Sequence, residues 1–181
     1  EIPVFLDANN AWPDTSSAIK AILHFEKYNP GWIEEPLMPD DIAGHAAIAA
    51  AVQTPVATGE IHATLWDFNQ LVQQKAASIL QADAGVCGGI TEWRKIAAMA
   101  AANGVSIAPH WLQEVHVHLV ASTPNATWLE YFTDHKVINL GQLFSTSLKV
   151  KPGGIVPPES SGLGIELDED AVNRHSVDGW H

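Results

Sequence analysis

The sequence predicts an α/β fold: a (β/α)8 TIM-type barrel, here incomplete, with about the last six βα units followed by a C-terminal β-hairpin tail. Two observations predict it. Short apolar, strand-like runs alternate with helix-period segments, and each run closes on a polar residue able to do chemistry. Those closing residues, Asp7, Glu34, Glu60, Asp83, His110 and Glu130, are separated by 27, 26, 23, 27 and 20 residues. Strands alternating with helices imply right-handed crossovers and a parallel sheet, and six such units exceed what a short open sheet offers. A closed barrel of eight units takes about 250 residues, so two units are expected to precede Glu1.

The elements follow in order. Val4–Asp7 reads as a strand, then a loop with Asn9, Asn10, Trp12 and Pro13, then a helix from Ser16 to Tyr28 carrying Ile19, Ile22, Leu23 and Phe25. Trp32-Ile33-Glu34 is the second strand, flanked by the breakers Pro30-Gly31 and Pro36; an alanine-dense helix from Asp41 to Val52 follows. Pro55–Glu60 gives the third strand with a helix over Leu65 to Gln74, and Ser78–Gln81 the fourth with a helix from Ile90 to Asn103. Gly104–Ala108 is the fifth strand, ending in Pro109-His110, with a helix from Gln113 to Ser122, and Thr127–Glu130 is the sixth. Leu148–Lys151, Pro152-Gly153-Gly154 and Ile155-Val156 read as strand, turn, strand. Residues 1–138 are therefore expected to form the partial barrel. Residues 139–181 are expected to form a tail whose hairpin packs toward an absent N-terminal capping domain.

Composition narrows the function. A net charge of −12 with only nine Lys and Arg argues against nucleic acid and against a polybasic membrane patch. No apolar run approaches the roughly 20 residues that span a bilayer. The single cysteine, Cys87, cannot form an internal disulfide, and the expected location is the cytoplasm.

In a barrel of this class, the C-terminal strand ends form the active-site mouth. Three carboxylates there, Asp7, Glu34 and Glu60, are hard oxygen donors suited to Mg2+. Neighbouring side chains on a strand face opposite ways, so only one of Glu34 and Glu35 is expected to bind metal. Taken singly, each residue has an ordinary reading: Asp7 as a cap or turn acceptor, Glu34 and Glu60 as solvated carboxylates, Asp83 as a turn residue, His110 as a packed histidine, Glu130 as a surface ion-pair partner. Their common order along the chain is what favours a site. His116-Val117-His118 has zinc-ligand spacing, but inside a helix residues two apart do not share a face, so both are expected to serve packing or loop contacts.

Asp7-Ala8-Asn9, Trp32-Ile33-Glu34-Glu35-Pro36, Gly59-Glu60, Asp83 with Gly88-Gly89 behind it, Pro109-His110 and Trp128-Leu129-Glu130 resemble the mandelate racemase subgroup of the enolase superfamily, in order and spacing. The resemblance implies Asp7, Glu34 and Glu60 as Mg2+ ligands, with Mn2+ as a substitute. It implies Asp83 and His110 as an Asp-His dyad and Glu130 as a hydrogen-bonding partner of a substrate carboxylate oxygen. It also places a second acid/base, a lysine, upstream of Glu1, so this piece alone is expected to lack activity. The expected reaction is dehydration of an acid sugar: the proton beside the carboxylate leaves and the β-hydroxyl follows. A racemase or epimerase of a 2-hydroxy acid is the alternative within the subgroup, and an inactive fragment or binding module the alternative outside it. The expected partners are a small carboxylate substrate and further copies of the chain in a homo-oligomer. Trp12 and Trp111 are expected to wall the pocket.

Overall fold

The computed structural model describes residues 2–133 and 139–177. Five parallel strands form one sheet in chain order: β1 (Leu6–Asp7), β2 (Ile33–Glu34), β3 (Val56–Thr58), β4 (Ile79–Leu80) and β5 (Ser106–Ile107). Each follows its neighbour through a helix: α1 (Thr15–Phe25), α2 (Ile42–Ala51), α3 (Leu65–Gln73) and α4 (Ile90–Ala102), with α5 (Gln113–Ser122) after β5. The register aligns Asp7 with Glu34, so two of the expected ligands stand side by side at adjacent strand ends.

The helices start where their sequences supply caps. Asp14 and Asp41 accept from the backbone N–H groups of Ser17 and Gly44 at the starts of α1 and α2, and Thr64 with Asp67 forms a reciprocal capping box on α3. The helix expected to reach Tyr28 ends at Phe25 and continues as a 3-10 turn over Glu26–Tyr28, closed by left-handed Asn29. Helix α4 drives the fully buried Trp93, Ile96, Ala97 and Ala100 into a core shared with Phe68, Leu71 and Leu80, which fastens α3 and α4 to the sheet. A second core joins Ala18, Ile22, Ile33, Ile48 and Val56 beneath α1 and α2.

The expected sixth strand is reduced to a single parallel bridge, Ile107 to Ala126, with Thr127 N–H donating to the Ile107 carbonyl. Residues 128–130 run on past it without ladder bonds of their own, so they follow the barrel's course without becoming a strand. The arc nevertheless curls: Phe5, just before β1, stacks on Trp32 at 3.9 Å between ring centroids and meets Trp128 edge-on at 5.1 Å. The first and last units thus approach each other across the barrel interior.

In the tail, β6 (Lys149–Lys151) and β7 (Gly154–Val156) form the expected antiparallel hairpin, the first strand beginning one residue later than expected and the second taking in Gly154 from the turn. Its residues are mostly exposed. The tail also contains a 3-10 turn (Leu140–Leu143) and a short helix α6 (Glu169–His175), neither foreseen from the sequence. Helix α6 buries Ala171, and His118 donates from Nε2 to the Leu163 carbonyl at 2.9 Å, fastening the tail to α5. Among the described residues no helix is long and apolar enough to cross a membrane.

Candidate active site at the strand ends

All six expected site residues lie at the C-terminal ends of the strands or in the loops just beyond. Asp7 and Glu34 are the last residues of β1 and β2; Glu60, Asp83 and His110 follow the ends of β3, β4 and β5 by two or three positions. Glu130 lies four residues past the Ala126 bridge and accepts the Trp111 N–H at 2.6 Å through Oε2. Gly59 makes the turn that presents Glu60: its φ is +139°, and a Cβ there would stand 2.7 Å from the Phe68 ring and 3.0 Å from the Gln81 backbone nitrogen.

Asp83 and His110 form a direct pair. Asp83 is buried; its Oδ1 accepts the Gly85 N–H at 2.7 Å and its Oδ2 lies 2.9 Å from His110 Nδ1. The other ring nitrogen, Nε2, lies 3.8 Å from Glu60 Oε1. Burial pulls the His110 pKa down, but the Asp83 hydrogen bond and the charges of Glu60, Glu130 and Asp83 outweigh it, so the net shift is upward.

The carboxylates crowd one another. Burial pushes the Glu34 pKa up to about 7 against the Gln81 and Trp32 hydrogen bonds, with Asp7 and Glu130 adding to the rise; Trp32 Nε1 donates to Glu34 Oε2 at 3.1 Å. Glu60 is raised too, by burial first, with Asp7 among the charges that add to it. The only Lys or Arg ion pair among the described residues joins Lys95 to Glu92 on α4. Asp7, Glu34 and Glu60 are therefore crowded oxygen donors that no Lys or Arg among the described residues pairs with, His110 beside Glu60 being the one basic ring near them, which is the setting a divalent cation fits. As arranged, no three His, Cys, Asp or Glu side chains among the described residues are drawn together closely enough to hold a metal ion. The carboxylates surround the mouth without closing on a point.

Sequence reasoning missed the conformation of Glu35. It is fully buried with a φ of +39°, so the chain turns left-handed at this residue and simple strand alternation stops at Glu34. Its Oε2 accepts from Asn10 Nδ2 at 2.8 Å, and its pKa too is raised to about 7, by burial and by Glu60. No local signal pointed to it: the following Pro36 favours extended backbone at Glu35, so the left-handed turn is set by tertiary contacts. Glu34, and not Glu35, lines the cavity of about 280 Å³ that opens among the strand ends, together with Asp7, Gln81 and Glu130.

The cavity's aromatic wall corrects the expectation for Trp12 and Trp111. Phe5, Trp32 and Trp128 line it. Trp12 instead packs against the α1 and α2 core, and Trp111 stands beside His110 with ring centroids 6.2 Å apart. Trp12 belongs to the loop feeding α1, where it is half-buried against the helix layer. His116 and His118 serve packing and loop contacts, as expected: His116 is fully buried and His118 binds the tail.

Residues 1–171 match the family described as "Enolase C-terminal domain-like". The L-talarate/galactarate dehydratase of Salmonella typhimurium is 41% identical over 171 residues, which cover 94% of this chain and 42% of that enzyme. Its crystal structure liganded with Mg and L-lyxarohydroxamate superposes with a TM-score of 0.87, again over 94% of this chain and 42% of that one. A racemase from Streptomyces coelicolor with bound magnesium superposes at 0.88 with 32% identity, over 96% of this chain and 46% of that one. The chain thus spans less than half the length of these relatives. With the parallel βα arc, the spaced strand-end carboxylates and the Asp-His pair in place, the chain belongs to the enolase C-terminal domain-like family, in its mandelate racemase and muconate lactonizing enzyme branch.

Proposed function

We propose that the protein is a Mg2+-dependent dehydratase acting on an acid sugar of the aldarate type. The observation that carries this reading is the Asp83–His110 pair at 2.9 Å, with the free ring nitrogen of His110 aimed into the carboxylate cluster. The 41% identity to a talarate/galactarate dehydratase supports the substrate class.

Asp7, Glu34 and Glu60 would hold the metal. Bound Mg2+ supplies Lewis-acid stabilisation of the negative charge that develops on a substrate carboxylate when its neighbouring C–H proton leaves. Glu130 stands at the same cavity, where it would face a carboxylate oxygen of the substrate. Asp83 fixes His110 with Nδ1 protonated and Nε2 bare; Nε2 takes the proton beside the carboxylate, Asp83 stabilises the resulting imidazolium, and Nε2 returns that proton to the β-hydroxyl, which departs as water. The polar side chain of Gln81, which lines the cavity beside Asp7 and Glu34, suits a polyol.

The test incubates the full-length protein that contains this chain with galactarate or L-talarate and Mg2+ and follows a 2-keto acid product with a carbonyl reagent. Ketone formation that is lost on chelation and in His110→Asn supports the dehydratase. Exchange of the α-proton for solvent deuterium without ketone points instead to the racemase chemistry of the Streptomyces relative. Neither reaction, with no Mg2+ binding by calorimetry, overturns the reading.

A further inference from the structure

His116 is a fully buried histidine that the proposed chemistry does not use, and both its ring nitrogens are bonded to backbone. Nε2 accepts the Ala84 N–H at 3.0 Å, and Nδ1 faces the Trp111 carbonyl. An N–H on one side and a carbonyl on the other leave one compatible form of the ring: neutral, protonated at Nδ1 and bare at Nε2. Ala84 follows Asp83 in the chain and Trp111 follows His110, so a single imidazole spans the two loops that carry the Asp-His pair.

The loop it holds is strained. Trp111 and Leu112 both have left-handed backbones, with φ of +47° and +35°. Each such non-glycine residue costs ~1–3 kcal/mol and persists only where surrounding contacts fix it. Here the contacts are the His116 ring on the Trp111 carbonyl, Glu130 on the Trp111 N–H, and the Leu112 carbonyl accepting from the Val115 and His116 N–H groups. The groups around the ring are Asp83, whose Oδ1 is 3.9 Å from Nε2, and the Trp93 indole, 6.5 Å away between ring centroids.

We propose that His116 is a positioning residue that locks the Asp83 loop to the His110 loop and so holds the dyad in register for proton transfer. Its catalytic consequence rests on the dehydratase reading; its mechanical role does not. Backbone hydrogen–deuterium exchange over residues 83–87 and 110–113 is compared in wild type, His116→Phe and His116→Gln, alongside kcat and KM. Phenylalanine removes both bonds, and exchange over both segments is expected to rise about 5–10-fold. The kcat is expected to fall about 10–100-fold with KM held within about threefold. Glutamine carries one acceptor and one donor and is expected to restore most of both losses. Unchanged exchange in both segments, or a rise in KM at constant kcat, overturns the proposal. Should His116→Phe not fold, the imidazole 15N shifts of wild type decide: a neutral ring protonated at Nδ1 supports it, and one protonated at Nε2 overturns it. If wild type dehydrates no acid sugar, the functional reading fails by itself, while exchange and tautomer still judge His116.

Discussion

Replacing Trp93 by Phe tests how the strand end carrying Asp83 is held. Trp93 is fully buried on α4, and its indole N–H donates to the Ala82 carbonyl at 2.8 Å, immediately before Asp83 in the chain. Phenylalanine keeps an aromatic ring in the core but removes the donor. Leaving the buried Ala82 carbonyl without its partner costs ~1–3 kcal/mol. The volume lost between indole and phenyl leaves a void in a core that collapses only partly, adding about 1 kcal/mol. The expected destabilisation is therefore about 2–4 kcal/mol, read as a lower urea midpoint at unchanged slope. A loss below about 0.5 kcal/mol, the range of ordinary surface changes, would show that the indole bond does not fasten this strand end.

Two further predictions concern buried titrating groups outside the expected ligand set and dyad. Burial, assisted by the Asp83 charge, pushes the Cys87 thiol up to about 11, so at about pH 8 the native protein is expected to resist thiol-specific reagents that label it at once in concentrated guanidinium; rapid native labelling would contradict this. Burial holds the His45 pKa below its usual 6.5, so as pH falls the unfolded chain takes up a proton that the folded chain refuses. Its contribution is intact above about pH 6.5 and is lost as pH falls from there toward the folded value. His45→Asn keeps a donor for the Asp41 carbonyl and is expected to flatten the decline in urea midpoint between about pH 7.5 and about pH 5.5, whereas parallel declines would show that His45 does not contribute.

Much of the fold was legible because its determinants are local. Helix α5 has the bounds its sequence predicts, and the other barrel helices differ mainly at their ends, where capping by Asp14, Asp41 and Thr64 decides the first turn. The 3-10 turn at Leu140–Leu143 and helix α6 carry too few residues for a hydrophobic period to show. The sixth strand is a different case: its sequence reads as a strand, but pairing depends on neighbours along both edges, and beyond the Ala126 bridge and the Thr127 N–H, residues 128–130 pair at neither.

By itself the sequence determined the βα alternation, its rhythm, and the residue types that the rhythm delivers to one end of the sheet. That follows because strand and helix periods and turn residues act over a few positions. Only the tertiary structure decided that Phe5, Trp32 and Trp128 form the wall in place of Trp12 and Trp111, and that Glu35 turns left-handed. It alone showed that Trp93 and His116 brace the backbone on either side of Asp83. Those arrangements join residues tens of positions apart, and they depend on how the sheet curls and which helix covers each loop.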